Sequence, residues 1–140
     1  MSGFLLDTNV LSELIKHSPE PKVTSWLEEM DEEIVFLSVL TIGEIRKGVT
    51  ALARADRRVA IEAWLEKDLR NRFAGRILPI TEEIADRWGL IAGQSHLKKV
   101  PVPVIDGLLA ATALHHNLTL VTRNIKDIVH TGVEMFNPWE

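Results

Sequence analysis

Three carboxylates and one amide stand at comparable places along this chain. Asp7 closes the apolar run Phe4-Leu5-Leu6, and Glu44 follows a second run, Ile34-Val35-Phe36-Leu37. Asp106 comes just after the break Pro101-Val102-Pro103, and Asn124 follows a third run that ends at Val121. Carboxylates gathered without a cation are costly, because like charges disfavour ionisation. A divalent ion removes that cost, and oxygen ligands with water retained suit Mg²⁺ or Mn²⁺. Such an ion polarises a phosphoryl oxygen and activates water for attack. Each residue also has an ordinary structural use. Asp7-Thr8-Asn9 can be a turn that starts a helix. Thr41-x-x-Glu44 matches a capping box, Asp106 can interact with a helix dipole, and Asn124 can be an N-cap. Convergence of the four would separate the two uses, and it depends on the elements that carry them.

A wholly apolar run near the start reads as a central strand covered on both faces. Asp7 then sits at the strand's carboxyl end, where open α/β sheets hold their ligands. A short helix is expected over 10–15, ended by His17-Ser18-Pro19-Glu20-Pro21, since prolines two apart cannot continue it. Pro21 suits the first turn of a second helix, whose Val23, Trp26, Leu27 and Met30 fall on one face. After the strand at 34–37 comes a helix with Ile45, Val49 and Leu52 inward. A long charged helix over 55–73 follows, with Val59, Trp64, Leu65, Leu69 and Phe73 as its inward candidates. Ile77-Leu78-Pro79-Ile80 reads as an edge strand because of its proline. Thr81 opens another helix, and Val104 to His116 a largely buried one. Leu118–Val121 and Val133–Phe136 are the last two strands, with a short helix between. Strands separated by helices give a mostly parallel sheet covered on both faces. If strands one, two and four are neighbours, the four polar residues meet on one edge of it.

The 140 residues are expected to form one domain, 1–140. With 46% hydrophobic and 26% charged residues, the composition is that of a globular protein. The absence of cysteine removes disulfides and cysteine-based zinc sites. No signal peptide or apolar run of membrane-spanning length is visible, so the expected location is the cytoplasm. A net charge of −4 argues against tight, sequence-blind nucleic-acid binding, but allows an enzyme that holds nucleic acid briefly.

The stretches LLDTNVLSEL, SVLTIGEIRKG, PVIDGLLAATALHHNLTLVTRNIKD and NPW resemble the PIN-domain family, and within it the toxins of VapC and FitB type from bacterial toxin–antitoxin pairs. The motifs fall in order across essentially the whole chain. The resemblance implies an α/β protein, a three-layer α/β/α fold with a five-stranded parallel sheet. It also implies Mg²⁺- or Mn²⁺-dependent endoribonuclease activity, a homodimer, and a small antitoxin partner that inhibits the nuclease. By position, Asp7, Glu44 and Asp106 match the family's acids. Asp7 and Asp106 would be direct metal ligands, and Glu44 would act through water or orient the nucleophile. Thr8, Asn9 and Thr122 match the polar groups that brace them. Asn124 departs from the fourth acid of many members. It can position water or phosphate but brings no charge, which weighs against a second ion. Asp127 would partly substitute if its loop forms a helical turn.

Arg46, Lys47 and Arg123 lie close to these residues and are candidates for contact with an RNA backbone. Arg54, Arg57, Arg58 and Lys126 are read as a solvated face. Trp26, Trp64 and Trp88 have helical core spacing and are read as packing groups. The five histidines show no metal pattern. Two other functions compete: a PIN fold that binds without cutting, and a receiver-like domain phosphorylated on aspartate. The receiver lacks support, with one acid after strand one and none after strand three.

Overall fold

β1 (Phe4–Leu6) occupies the middle of a five-stranded sheet, as its unbroken apolar sequence requires. The computed structural model describes residues 3–140. The other strands are β2 (Val35–Ser38), β3 (Ile77–Leu78), β4 (Thr119–Val121) and β5 (Met135–Phe136). Their order is β3-β2-β1-β4-β5, and every pairing is parallel. Phe4 lies opposite both Val35 and Thr119, and Leu6 opposite Val121. Strands one, two and four are therefore neighbours. A receiver-type doubly wound sheet has the order 2-1-3-4-5, so this topology removes that alternative. The expected short strands are shorter still: Pro79 ends β3 at Leu78, and only two residues of 133–136 pair.

Alternation along β1 feeds two cores. Leu6 joins Val10, Leu11, Val23, Leu37 and Leu65 on one face. Leu5 joins Leu109, Ala110, Ala113, Leu120 and Ile128 on the other. Helices α1 (Thr8–Leu14), α2 (Pro21–Glu29), α3 (Val39–Thr50) and α4 (Ala55–Ala63) supply the first face. The three-residue helix α5 (Arg70–Arg72) completes the long segment begun by α4, α6 (Glu82–Leu97) packs on α7 (Val104–His116), and α8 (Ile125–Ile128) follows β4. The result is the expected three-layer α/β/α arrangement.

Between α4 and α5 the chain passes through a π-helical turn, Trp64–Leu69. Ile61, Leu65, Leu69 and Phe73 are all buried and recur every fourth residue. At 3.6 residues per turn that spacing drifts around an α-helix, whereas the wider π turn keeps the four on one face. Val59, expected inward, is 63% exposed, and Ile61 takes the inward place.

Trp26 packs edge-on against Phe4 and tilts over Phe136, with centroids 5.2 Å away in both cases. Its packing role is as expected. Trp88 lies on Gly107, where an added Cβ would come within 3.0 Å of its ring. That close approach seats α7 on α6 one residue beyond Asp106. A Cβ on Gly3 would overlap the Ile34 carbonyl oxygen, so only glycine lets β1 enter alongside β2.

Candidate active site

Asp7 is the N-cap of α1, and its Oδ1 accepts a hydrogen bond from the Thr8 backbone N–H at 2.7 Å. The helix therefore begins at Thr8, two residues before the sequence pattern indicated. The capping role does not use up the carboxylate. Its Oδ2 accepts the Thr122 hydroxyl proton at 2.7 Å, across from the end of β4. The Asp7 backbone N–H donates to the Val121 carbonyl, which locks the two strand ends in register. Thr122 Oγ in turn accepts from the Asn124 backbone N–H at 3.0 Å. Thr122 is fully buried, so these bonds fix the direction in which Asp7 points.

Glu44 lies in the middle of α3. The capping-box alternative fails here: Ser38 is the N-cap, its side chain accepting from Leu40, and Thr41 is buried inside the helix. Glu44 instead reaches across to α1, where the Thr8 hydroxyl donates to its Oε1 at 2.5 Å. Asp106 sits in the first turn of α7, whose N-cap is Pro103 and offers no side-chain bond. Asn124 occupies the N-cap position of α8 but makes no side-chain cap bond, which leaves its amide facing the cleft.

Asp7, Thr8, Asn9, Glu44, Asp106 and Asn124 line one cleft of about 360 Å³, joined by Arg123. Thr122 lies beneath it, bonded to Asp7. Asp127 does not line the cleft, although its charge reaches Asp106. Arg46 is outside it too and pairs with Glu66 at 2.7 Å; Lys47 is exposed in the last turn of α3. Of the three candidate basic residues, only Arg123 stands at the cleft. Sequence reasoning missed four further lining residues: Ser12, Glu13, Lys16 and Trp139. Three were within reach of a spacing argument, since 8 and 12 share one helical row, and 9, 13 and 16 another.

The acids are under electrostatic pressure. Burial pushes the Asp7 carboxyl above its ordinary value, and the charge of Glu44 adds to this; the bonds from Thr122 and Thr8 oppose it. Asp106 is pushed up to about 6, by burial first and then by the charges of Asp7, Asp127 and Glu44. The Oδ1 of Asn9 is buried and has no hydrogen-bond partner among the described residues. Mutually repelling carboxylates and an orphaned amide oxygen, all hard donors, fit a divalent cation with oxygen ligands. Among the described residues no three His, Asp or Glu side chains stand close enough to cage an ion alone.

The chain belongs to the PIN-domain family, whose model matches residues 4–131. It is 37% identical over 135 residues to the protein named Toxin FitB of Neisseria gonorrhoeae, an alignment covering 96% of this chain and 97% of the other. It is 32% identical to the VapC ribonuclease Y4jK of Sinorhizobium fredii, with 97% of each chain covered. The crystal structure of FitAcB from Neisseria gonorrhoeae superposes with a TM-score of 0.93 at 36% identity, over 98% of this chain and 99% of that one. The family and fold expected from the motifs are thereby borne out.

Proposed function

We propose that this chain is a metal-dependent endoribonuclease and the toxin of a toxin–antitoxin pair. The observation that carries the reading is the convergence of Asp7, Glu44, Asp106 and Asn124 from four separate elements into one cleft. Similarity to a protein named a ribonuclease and to one named a toxin supports it. Asp7 and Asp106 would hold Mg²⁺ or Mn²⁺, which when bound supplies Lewis-acid stabilisation of charge on a phosphoryl group. Thr122 and the Thr8 backbone N–H fix the direction of Asp7. The Thr8 hydroxyl holds one oxygen of Glu44 and leaves the other free to orient an attacking water. Asn124 offers an amide to water or phosphate at the far side of the cleft. Hydrolysis by water would need no nucleophilic side chain.

The remaining parts of the reading are a homodimer, a cognate antitoxin that covers the cleft, and action in the cytoplasm, where RNA is found. Among the described residues no helix is long and apolar enough to cross a membrane.

The test is RNA cleavage by the purified chain, free of any antitoxin, with and without Mg²⁺ or Mn²⁺. Metal-dependent cleavage should disappear in Asp7→Ala. Equal cleavage by wild type and variant would identify a contaminant and remove the site assignment. Metal binding without any cleavage would make the chain a PIN fold that binds rather than cuts.

A further inference from the structure

One wall of the cleft is built from parts the acid chemistry does not use. Glu13, on α1, is 4% exposed, yet it is a carboxylate. Its Oε2 accepts the Glu20 backbone N–H at 2.9 Å, and its Oε1 accepts from Lys16 Nζ at 2.9 Å and from the Trp139 indole N–H at 3.3 Å. These donors hold its carboxyl below the ordinary range, the Glu20 bond first. Trp139 is thus pinned edge-on. Its backbone N–H is also held, by Asn137 Oδ1 at 2.9 Å, and its body packs on the core beneath α1. The Arg123 guanidinium stands over the face of the pinned ring, 5.0 Å from its centroid.

Among the described residues Arg46, Arg54, Arg58, Arg72 and Arg76 each pair with a carboxylate, whereas Arg57, Arg70, Arg87 and Arg123 form no ion pair; of these four, Arg123 is the one that lines the cleft. Its guanidinium contacts the π face of Trp139. A stacked guanidinium keeps its N–H edge free, in the geometry that donates to two phosphate oxygens. It is also one residue from Asn124, at the rim where a polyanion must approach three acids.

We propose that Arg123 binds a backbone phosphate of the RNA at the mouth of the cleft, and that Trp139 and Glu13 are positioning residues that hold its guanidinium there. The inference rests on the nuclease reading for its substrate. The stack fixes the plane of the guanidinium, and the Glu13 bond fixes the ring. A lysine at 123 could neither stack in this way nor bind bidentately.

The test uses the full chain and two readouts. The first is KM and kcat for metal-dependent cleavage of a fluorogenic RNA. The second is anisotropy of a fluorescein-labelled single-stranded RNA in Ca²⁺, titrated over a salt series. Arg123→Ala should raise KM about tenfold with kcat changed by no more than about twofold. It should also lower the salt slope by about one phosphate contact. Trp139→Leu, which keeps apolar packing, should do the same, and the double variant should be no worse than Arg123→Ala alone. Trp139→Phe keeps a stacking face and should fall between. A merely structural Trp139 would lower the melting temperature and leave KM and the salt slope in place; that result, or additive losses in the double variant, overturns the proposal. If the wild type binds RNA but does not cut it, and the variants still lose the salt slope, the nuclease reading falls and this one stands. If the wild type neither binds nor cuts, both fall.

Discussion

Asp106→Asn is expected to lower RNA cleavage by about a thousandfold and to make the metal-free protein more stable. The two effects share one cause. Burial first, and then the charges of Asp7, Asp127 and Glu44, push the Asp106 carboxyl up to about 6 from an ordinary 3.8. The folded chain thus holds that proton more tightly than the unfolded chain does. Stability falls as pH rises between those two values, and the loss is complete above the folded value. Asparagine carries no charge and escapes the loss. In EDTA at about pH 7.5 the variant should gain about 1 kcal/mol, the full shift being discounted for solvent screening at a partly exposed group. The gain should shrink as pH is lowered through about 6, where wild-type Asp106 takes up its proton. Chemical unfolding at a series of pH values measures this, and a cleavage assay measures the other half. A variant that is inactive and no more stable at neutral pH would mean that neither burial nor the neighbouring charges penalise the Asp106 carboxylate.

Asn124→Asp is expected to tighten Mn²⁺ binding by about tenfold and to lower metal-free stability. Asn124 sits at the rim of the same cleft, with its amide released from any cap bond. A fourth negative charge there attracts a cation and repels Asp106. The gain stays modest because the position is exposed, and water screens it. Calorimetric titration reads the affinity. Unchanged affinity would place residue 124 beyond the influence of the ion and leave the amide a role toward substrate alone.

Much of this arrangement could be read from the residues. The apolar run before Asp7 has the pattern of a central strand, and the prolines at 79 and 103 mark where β3 and α7 are bounded. Other features depend on tertiary contacts that no local pattern encodes. Thr41-x-x-Glu44 fits a capping box as well as any sequence can, yet Ser38 caps the helix and Glu44 bonds to a hydroxyl 36 positions away. The every-fourth spacing of Ile61, Leu65, Leu69 and Phe73 holds the signal for a π turn, but a plain helix explains the same residues until burial is seen. Arg46 and Lys47 are near Glu44 in sequence. Helical rotation nonetheless sends Arg46 to Glu66 and leaves Lys47 in solvent. Helical spacing puts Glu13 in the row of Asn9, but its hold on Trp139 was invisible, because the two lie 126 positions apart.

Asp7 and Asp106 are proposed to form a divalent-metal site. Thermal unfolding with and without Mn²⁺, at about pH 7.5, tests it most directly. At about a hundredfold excess over its dissociation constant, the ion should stabilise the wild type by about 2.7 kcal/mol, a rise of several degrees. Asp7→Asn and Asp106→Asn should lose most of that rise while remaining folded. Equal rises in all three proteins would place the ion elsewhere and exclude Asp7 and Asp106 as its ligands.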